Sequence, residues 1–410
     1  MKKTIFVALF LNILFVSWRC SSDSSVDNLD TDYNTGDTDT DTDTDTDTDT
    51  DSDTDTDTDT DTDTDTDTDS DTDTDTDTDT DTDTDTDTDT DTDTDTDTDT
   101  DTDTDSDNGV MVGYWPNWVD MDKFSMKNAA AAGYNVLVIA FGRLNGTVAD
   151  VVPWSTTDAQ VAKDIKQNIT DVKSAYPDVK VILSFGGSNN TYTPGTSDSQ
   201  LSTAASNIIA LLGEYNIDGI DFDIEVSTTT IAPLSSKLKA LDPGIIITAA
   251  PQLNFKKGGD MILVSSGYSE DYNDAISQGL LDYIFLQEYN TIFNEADYFV
   301  NDPEFIKYSF DKLTPWVPSS VKIVAGFPAW YWGANTASIH FETHNSGTPR
   351  AITEVVSIIS NQIKLIRNST TGTQFGGVMA WCTSDDGNSN TPAYAFSNGL
   401  SDCAINNNCN

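Results

Sequence analysis

The amino-acid sequence predicts an α/β protein in which an eight-stranded (β/α)8 barrel, a TIM barrel, follows a long disordered Asp/Thr-repeat linker. The first observation is an uneven charge: residues 1–108 hold 40 of the 70 acidic side chains and 3 of the 20 basic ones. The second is a change of sequence pattern at residue 109, where short apolar runs begin to alternate with segments of helical periodicity. The third is the number of those runs, which is eight. The charge balance excludes the basic surface of a nucleic-acid-binding protein.

The N-terminus has the features of an export signal. Lys2 and Lys3 precede an apolar stretch over residues 5–16, so we predict a signal peptide over residues 1–22. Cys20 followed by polar residues resembles a bacterial lipoprotein signal, although Arg19 stands where that signal has a small residue. Cleavage after Ser22 is the alternative. Either way we expect an extracellular protein, secreted or held at the membrane by a lipid on Cys20.

Residues 23–108 form an acidic segment that is predicted to be a disordered spacer. Asp alternates with Thr from Asp37 to Asp107, with Ser at three of the Thr positions. The repeat has no apolar side chains to bury, so the entropy of ordering it would not be recovered. Repulsion between the carboxylates extends such a chain, which would reach on the order of 240 Å when fully stretched. We expect no chemistry in this segment.

Eight short runs rich in β-branched and apolar residues follow, and each is predicted to be a strand. In chain order they are Val110–Tyr114, Asn135–Phe141, Val179–Phe185, Ile217–Ile224, Gly244–Ala250, Tyr283–Gln287, Val321–Phe327 and Gly377–Trp381. Each is short enough for a strand buried on both faces, as in a parallel sheet.

The segments between these runs repeat their apolar residues with the period of a helix. They are Ala159–Tyr176, Leu201–Tyr215, Ile231–Leu241, Tyr272–Leu281, Glu304–Leu313 and Ile352–Arg367. Strands that alternate with helices indicate a parallel α/β fold, and eight of them favour a closed barrel. No Gly-rich phosphate-binding loop opens the first helix, which argues against a dinucleotide-binding sheet. We assign the barrel to residues 109–395, regard 396–410 as a C-terminal tail, and expect a monomer.

The fourth predicted strand carries the candidate chemistry. Strand side chains alternate between two faces, so Asp221, Asp223 and Glu225 share one face while Ile220 and its apolar neighbours share the other. The three carboxyls are therefore predicted to point into the barrel. Burying adjacent carboxylates is costly, so at least one should keep its proton near neutral pH. A protonated carboxyl beside an ionised one is suited to general acid catalysis.

Two other interpretations of the three carboxyls are a structural role and a metal site. A structural role needs Lys or Arg partners, which the strands rarely offer. Carboxylates at alternate positions could ligate Mg²⁺, but no His or further carboxylate recurs at neighbouring strand ends. We therefore expect no metal and no cofactor. His340 and His344 fall in a polar loop and are expected to be solvated.

The run from Asp218 to Glu225 matches the pattern D-x-x-D-x-D-x-E and resembles the signature of glycoside hydrolase family 18, the chitinase family. The third strand ends in Ser184-Phe185-Gly186-Gly187, which resembles that family's S-x-G-G motif. Further matches in family order are Tyr114-Trp115, Ala250-Pro251-Gln252, Gln287-Glu288-Tyr289-Asn290, Gly326-Phe327-Pro328-Ala329 and Val378-Met379-Ala380-Trp381. The resemblance covers residues 109 to 395.

This resemblance implies an endo-acting glycosidase that cleaves β-1,4 bonds between N-acetylglucosamine units of chitin. It implies retention of configuration by a substrate-assisted mechanism, in which the substrate's acetamide replaces the enzyme nucleophile. Glu225 would be the general acid, Asp223 would orient the acetamide, Asp221 would share a proton with Asp223, and Tyr289 would position the acetamide oxygen. The residues that it assigns to substrate binding are Tyr114, Ser184, Gly186, Gly187, Gln287, Asn290 and Trp381.

The sequence alone leaves several alternatives open. An endo-β-N-acetylglucosaminidase that cuts the chitobiose core of N-glycans would share the acidic motif, and a chitin-binding lectin on the same barrel would share the fold. The 21 residues from Ala329 to Pro349 are too few for an extra folded module over the cleft, which favours a shallow cleft. Among Cys382, Cys403 and Cys409, the sequence does not choose which two form a disulfide.

Overall fold

The computed structural model describes residues 109–152, 159–255, 260–290, 299–333, 337–342 and 348–409. The predicted signal peptide, the acidic segment, His344 and the processing alternatives at Cys20 lie outside this part of the chain. None of the helices within it combines the length and the apolar composition of a membrane span.

Eight parallel strands close the predicted barrel, which the structure confirms. The strands in chain order are β1 (Val110–Pro116), β2 (Val136–Gly146), β3 (Val148–Asp150), β4 (Lys180–Gly186), β5 (Tyr192–Pro194), β6 (Gly219–Asp223), β7 (Ile246–Ala249), β8 (Gln252–Phe255), β9 (Met261–Val264), β10 (Tyr283–Gln287), β11 (Lys322–Pro328) and β12 (Phe375–Trp381). The barrel follows the order β1-β2-β4-β6-β7-β10-β11-β12, and β12 pairs with β1 to close it. Of the other four strands, β3 pairs antiparallel and β5 pairs parallel with the end of β2, while β8 pairs parallel with β10 and antiparallel with β9.

Most helices lie between the barrel strands, as the periodicity predicts, and the last two follow the final strand β12. They are α1 (Met126–Ala131), α2 (Ala159–Ala175), α3 (Asp198–Tyr215), α4 (Ile231–Leu241), α5 (Asn273–Ser277), α6 (Phe305–Leu313), α7 (Ile352–Arg367), α8 (Thr383–Ser389) and α9 (Ala395–Asn406). Ser197 begins α3 with a capping box, because its side chain accepts from the Gln200 amide while the Gln200 side chain bonds back to Ser197.

Strand alternation divides the core into two layers. Ile220, Phe222 and Ile224 belong to the large cluster between strands and helices. A smaller cluster fills the barrel interior and includes Tyr114, Phe285 and Trp381. The residues of β6 at alternate positions, Asp221 and Asp223, therefore face inward as predicted.

The C-terminal end differs from the predicted tail. Instead of leaving the domain at residue 396, the chain forms α9, whose Phe396 and Leu400 are fully buried in the core. A disulfide joins Cys403 to Cys409 and closes the loop after this helix. The barrel domain thus extends through the described C-terminus.

A buried carboxylate anchors α9. Asp386 accepts hydrogen bonds from the Tyr134 hydroxyl at 2.9 Å, from Asn390 Nδ2 at 2.7 Å, and from the Phe396 and Ser397 backbone amides at 3.0 Å each. The two amides lie in the first turn of α9, where a negative charge is favourable. This one side chain thus ties α9 to α8 and to the loop before β2.

Asp386→Ala is expected to lower the free energy of unfolding by about 3–5 kcal/mol, because four buried donors lose their acceptor. Urea denaturation followed by circular dichroism measures the change. Glu214→Ala is the control, since that carboxylate is exposed and only 3.7 Å from Lys166 Nζ, and such surface pairs contribute about 0–1 kcal/mol. Equal effects of the two substitutions would contradict the anchoring role of Asp386.

The expectation that His340 is solvated is wrong. Its ring is buried, stacks on Phe396 with 6.4 Å between ring centroids, and places Nε2 2.7 Å from the Pro328 carbonyl oxygen. Burial lowers the pKa of His340 to about 4. Polar neighbours in the sequence suggested solvent, whereas helix α9 covers the ring.

Candidate active site

The carboxyl end of β6 holds the candidate catalytic groups, at the barrel end where the active sites of this fold lie. Asp221 is fully buried there and accepts three hydroxyl hydrogen bonds. Ser184 Oγ donates to Oδ2 at 2.7 Å and Tyr114 Oη donates to the same oxygen at 2.8 Å. Thr248 Oγ donates to Oδ1 at 2.6 Å. Register explains the convergence, since Asp221 pairs with Ser184 on β4 and with Thr248 on β7.

Asp223 lies two residues farther along the same face and is also buried. Gln287 Nε2 donates to its Oδ1 at 2.9 Å and to the Ala250 carbonyl oxygen at 2.8 Å. The amide of Gln287 therefore fixes the orientation of Asp223 between β7 and β10.

Two glycines hold the backbone at Asp223. Gly187 N donates to the Asp223 carbonyl oxygen at 2.6 Å. Gly186 has a φ of +126°, and a Cβ there would come within 1.9 Å of the same oxygen. Only glycine allows this close approach. The Gly186-Gly187 pair thus positions the strand that carries the acids.

Glu225 lies two residues beyond the end of β6, at the carboxyl end of the barrel strands, and is half-buried. Burial raises the pKa of Glu225 to about 7. Burial, and then the charges of Glu225 and Asp221, raise the pKa of Asp223 well above its usual range. Burial also raises the pKa of Asp221, while the hydroxyls that donate to it act in the opposite direction. The pKa of each of the three carboxyls is thus raised, so the group shares protons at a pH where exposed carboxyls are ionised.

Aromatic rings surround these acids. The ring centroid of Trp381 lies 5.4 Å from that of Tyr114 and 6.0 Å from that of Phe141, and Trp118 stacks on the other side of Phe141 at 6.1 Å. Tyr289 is buried, and burial followed by the charge of Asp223 raises its pKa above the usual range. Such faces suit stacking against sugar rings.

The structure brings most of the predicted site residues together. Hydrogen bonds and a ring contact link Tyr114, Ser184, Asp221 and Trp381, and a hydrogen bond links Gln287 to Asp223, two residues farther along β6. Asn290 lies at the edge of this group, with a φ of +57°, and its amide donates to the Ala337 carbonyl oxygen. Asp218, the first residue of the acidic motif, points away and pairs with Lys173 at 2.8 Å.

Sequence reasoning missed Thr248 and Tyr272. Thr248 is the one polar side chain in the otherwise apolar strand β7, and that was an available signal. Tyr272 lies before a short helix and has no such signal, yet its hydroxyl contacts the strand that carries the acids.

A further carboxyl, that of Glu288, is buried directly after the end of β10. Ser309 Oγ donates to its Oε1 at 2.7 Å. Within the described part of the chain, Oε2 has no hydrogen-bond partner. Burial raises the pKa of Glu288 to about 8. This side chain faces helix α6 rather than the cleft.

Among the described residues, no three His, Cys, Asp or Glu side chains are grouped so that they could hold a metal ion. The oxygens of Asp221 are occupied by hydroxyl donors, and Asp223 Oδ1 is occupied by an amide donor. This arrangement suits carboxyls that share and relay protons.

The raised pKa of Glu225 predicts the upper limit of the pH range of any reaction that uses it as an acid. The proton is present below its pKa of about 7 and is lost above it. We expect kcat/KM to fall by about tenfold per pH unit above that value, as for a single ionisation. Measuring kcat/KM between pH 4 and 9 tests this. An upper limit near pH 4.5, the ordinary value for a glutamate, would contradict it.

Comparisons with known proteins agree with this geometry. The family model described as "Glycosyl hydrolases family 18" matches residues 110–381. A basic endochitinase from Nicotiana tabacum is 26% identical over 290 residues, which cover 67% of this chain and 86% of the relative. A chitinase from Enterococcus faecalis is 28% identical over 203 residues, 44% of this chain and 54% of the relative. The match to that bacterial relative thus spans about half of its length.

Solved structures show the same fold. The C-terminal domain of ChiA from Legionella pneumophila superposes with a TM-score of 0.52 at 23% identity, covering 74% of this chain and all of that one. A family GH18 chitinase from Chromobacterium violaceum gives a TM-score of 0.50 at 20% identity, covering 72% of this chain and 82% of that one.

Proposed function

Because the chain belongs to glycoside hydrolase family 18, we propose that it is a secreted, endo-acting chitinase that cleaves β-1,4 bonds between N-acetylglucosamine units. The observation that carries this proposal is the row of carboxyls on one face of β6. Glu225 retains a proton near neutral pH, and the buried Asp223 stands behind it. The curated relatives whose names describe chitinases support the choice of substrate.

In the first step, Glu225 donates its proton to the glycosidic oxygen as the bond to the anomeric carbon breaks. The acetamide oxygen of the sugar attacks that carbon and forms a cyclic oxazolinium ion, so no enzyme nucleophile is needed. Asp223 accepts a hydrogen bond from the acetamide N–H and stabilises the positive charge. Asp221, with its three hydroxyl donors, shares a proton with Asp223 as this charge develops. Tyr289 donates to the acetamide oxygen and positions it.

In the second step, water attacks the anomeric carbon from the side that the leaving group vacated. Glu225, now ionised, takes a proton from this water and returns to its starting state. Two displacements at one carbon retain the β configuration. Proton NMR of the first-formed product tests this step, because an α-anomer would show inversion by an activated water and would overturn the mechanism.

A run of aromatic rings favours chitin over the N-glycan core as substrate. Trp118, Phe141, Trp381 and Tyr114 form successive ring contacts that lead from the half-buried Trp118 into the barrel interior. Aromatic rings of this kind suit stacking against successive sugar rings. Endo-action rests on a short connection, since β11 ends at Pro328 and α7 begins at Ile352. The remaining candidate, a lectin, does not need the acid Glu225.

Parallel incubation with colloidal chitin and with a high-mannose glycoprotein tests the proposed function. We expect soluble N-acetylglucosamine oligosaccharides from chitin and no change in the mass of the glycoprotein. Glu225→Gln serves as the control for contaminating activity. Release of the glycan instead would support the endo-β-N-acetylglucosaminidase, and binding without cleavage would support the lectin.

Export of the chain is proposed on the sequence features of residues 1–22. Mass spectrometry of the mature protein distinguishes the two processing alternatives. A free N-terminus at Asp23 supports secretion, and an N-terminal Cys20 with two acyl chains and a glycerol supports a lipid tether.

Chelation of metal ions with EDTA is expected to leave kcat unchanged within about twofold, because the strand-β6 carboxyls act here through protons rather than through a cation. The assay uses a soluble chitin oligosaccharide, with and without prior dialysis against EDTA. Loss of activity that added Mg²⁺ or Zn²⁺ restores would revive the metal-site interpretation of these carboxyls.

A further inference from the structure

The strand that carries the acids stops before Glu225. The pairing of β6 with β4 ends at Asp223, and its pairing with β7 ends at Phe222. Backbone groups beyond that point need other partners, because buried amides and carbonyls are rarely left unpaired. The position of Glu225 therefore depends on whatever holds the backbone on either side of it.

Tyr272 holds the residue before Glu225. The amide of Ile224 donates to the Tyr272 hydroxyl at 2.8 Å. That hydroxyl in turn lies 3.1 Å from the Ile224 carbonyl oxygen and 3.3 Å from that of Phe222, so it can donate to either. Tyr272 is fully buried, which leaves its hydroxyl no competing water.

Asp271 holds the residues after Glu225. The amide of Thr228 donates to its Oδ2 at 3.0 Å, and Ser227 Oγ lies 3.4 Å from its Oδ1. Ser265 Oγ donates to the same carboxylate at 2.5 Å and fixes it to the end of β9. Asp271 and Tyr272, two consecutive residues, thus fix the backbone on both sides of Glu225.

We propose that Asp271 and Tyr272 are positioning residues, which aim the Glu225 carboxyl at the glycosidic oxygen by fixing the backbone before and after it. This inference rests on the proposed function, because it assigns Glu225 the role of acid. Neither side chain needs to touch the substrate. An error of about 1 Å in the position of a catalytic group can cost about 100-fold in rate, which gives the two contacts their importance.

The direct test is Tyr272→Phe, which removes the hydroxyl and keeps the buried ring. We expect kcat on a chitin hexasaccharide to fall by about 10–100-fold, with KM changed by less than about twofold, because the contact affects proton donation rather than binding. The loss should be smaller, within about threefold, for an aryl glycoside whose phenol leaves without a proton. The upper pH limit of kcat/KM should fall, since a less firmly held Glu225 becomes better solvated and burial is what raises its pKa.

Tyr134→Phe is the matched control. This tyrosine is equally buried and donates to Asp386 far from the cleft. We expect it to lower the unfolding temperature while leaving kcat and the pH profile unchanged. Both variants are assayed well below their unfolding temperatures, so a folding defect does not resemble a catalytic one.

Asp271→Ala tests the contacts that hold the backbone after Glu225. Because both residues act on one acid, the double variant should lose less activity than the product of the two single losses. If Tyr272→Phe keeps kcat within about twofold, or loses equally on both substrates, the inference is overturned. If the wild-type protein cleaves neither chitin nor a glycan, the proposed function itself fails, and the two failures are distinguishable.

Discussion

Replacing Glu225 with Gln is expected to lower kcat on chitin oligosaccharides by about 10²–10⁴-fold, the usual contribution of a general acid. Gln keeps the shape of the side chain but has no proton to give to the departing oxygen. KM should change little, because the lost interaction belongs to the transition state. Initial rates on a soluble hexasaccharide, measured with a reducing-sugar assay, give both constants.

Glu288→Gln is the matched control for this substitution. It changes another glutamate at the end of a barrel strand, one that is buried after β10 and faces Ser309 rather than the cleft. We expect its kcat to lie within about threefold of the wild type, since it makes no contact that a transition state could use. Comparable losses in the two variants would contradict the assignment of the acid to Glu225.

Asp223→Asn is expected to lower kcat by about 10²–10³-fold, because the positive charge that develops on the sugar loses its anionic partner. The change also disturbs the contact with Gln287 Nε2, since an amide in place of the carboxylate can present an N–H to it. The measurement is again kcat and KM on the hexasaccharide.

Asp218→Asn provides the comparison within the same acidic motif. Its carboxylate pairs with Lys173 on the outside of the barrel and accepts from the Val181 amide. This variant should lose stability but keep kcat within about threefold, because its contacts do not reach the cleft. For Asp223→Asn itself, a near-normal kcat would exclude stabilisation of an oxazolinium ion by Asp223.

The barrel could be predicted from the sequence because the patterns that indicate its strands and helices are local. Each strand is a short apolar run, and the alternation of faces on β6 followed from residue spacing alone. The separation of Asp221 and Asp223 from Ile220 and Phe222 in the structure agrees with it. The matched family model agrees with the resemblance drawn from the acidic motif.

Contacts between segments far apart in the sequence could not be predicted from local patterns. Tyr272 reaches Ile224 across 48 residues, and Asp386 draws Phe396 into the core through backbone amides. Neither leaves a periodic pattern in its own neighbourhood. Helix α9 was missed because Ser, Asn, Gly and Asp interrupt its apolar residues, and its burial depends on contacts with α7 and β1. The prediction that His340 is solvated was wrong for the same reason, because helix α9 covers its ring.

Burial of so many carboxyls couples folding to proton uptake. The ordinary pKa of a glutamate is 4.5, whereas Glu225 and Glu288 reach about 7 and about 8 in the folded chain. Around neutral pH the folded state therefore binds protons that the unfolded chain has released. The stability that these two groups contribute is fully present below pH 4.5 and is lost as the pH rises through 7 and then 8. With Asp221 and Asp223 shifted in the same direction, these carboxyls make the domain more stable in mildly acidic surroundings than in alkaline ones.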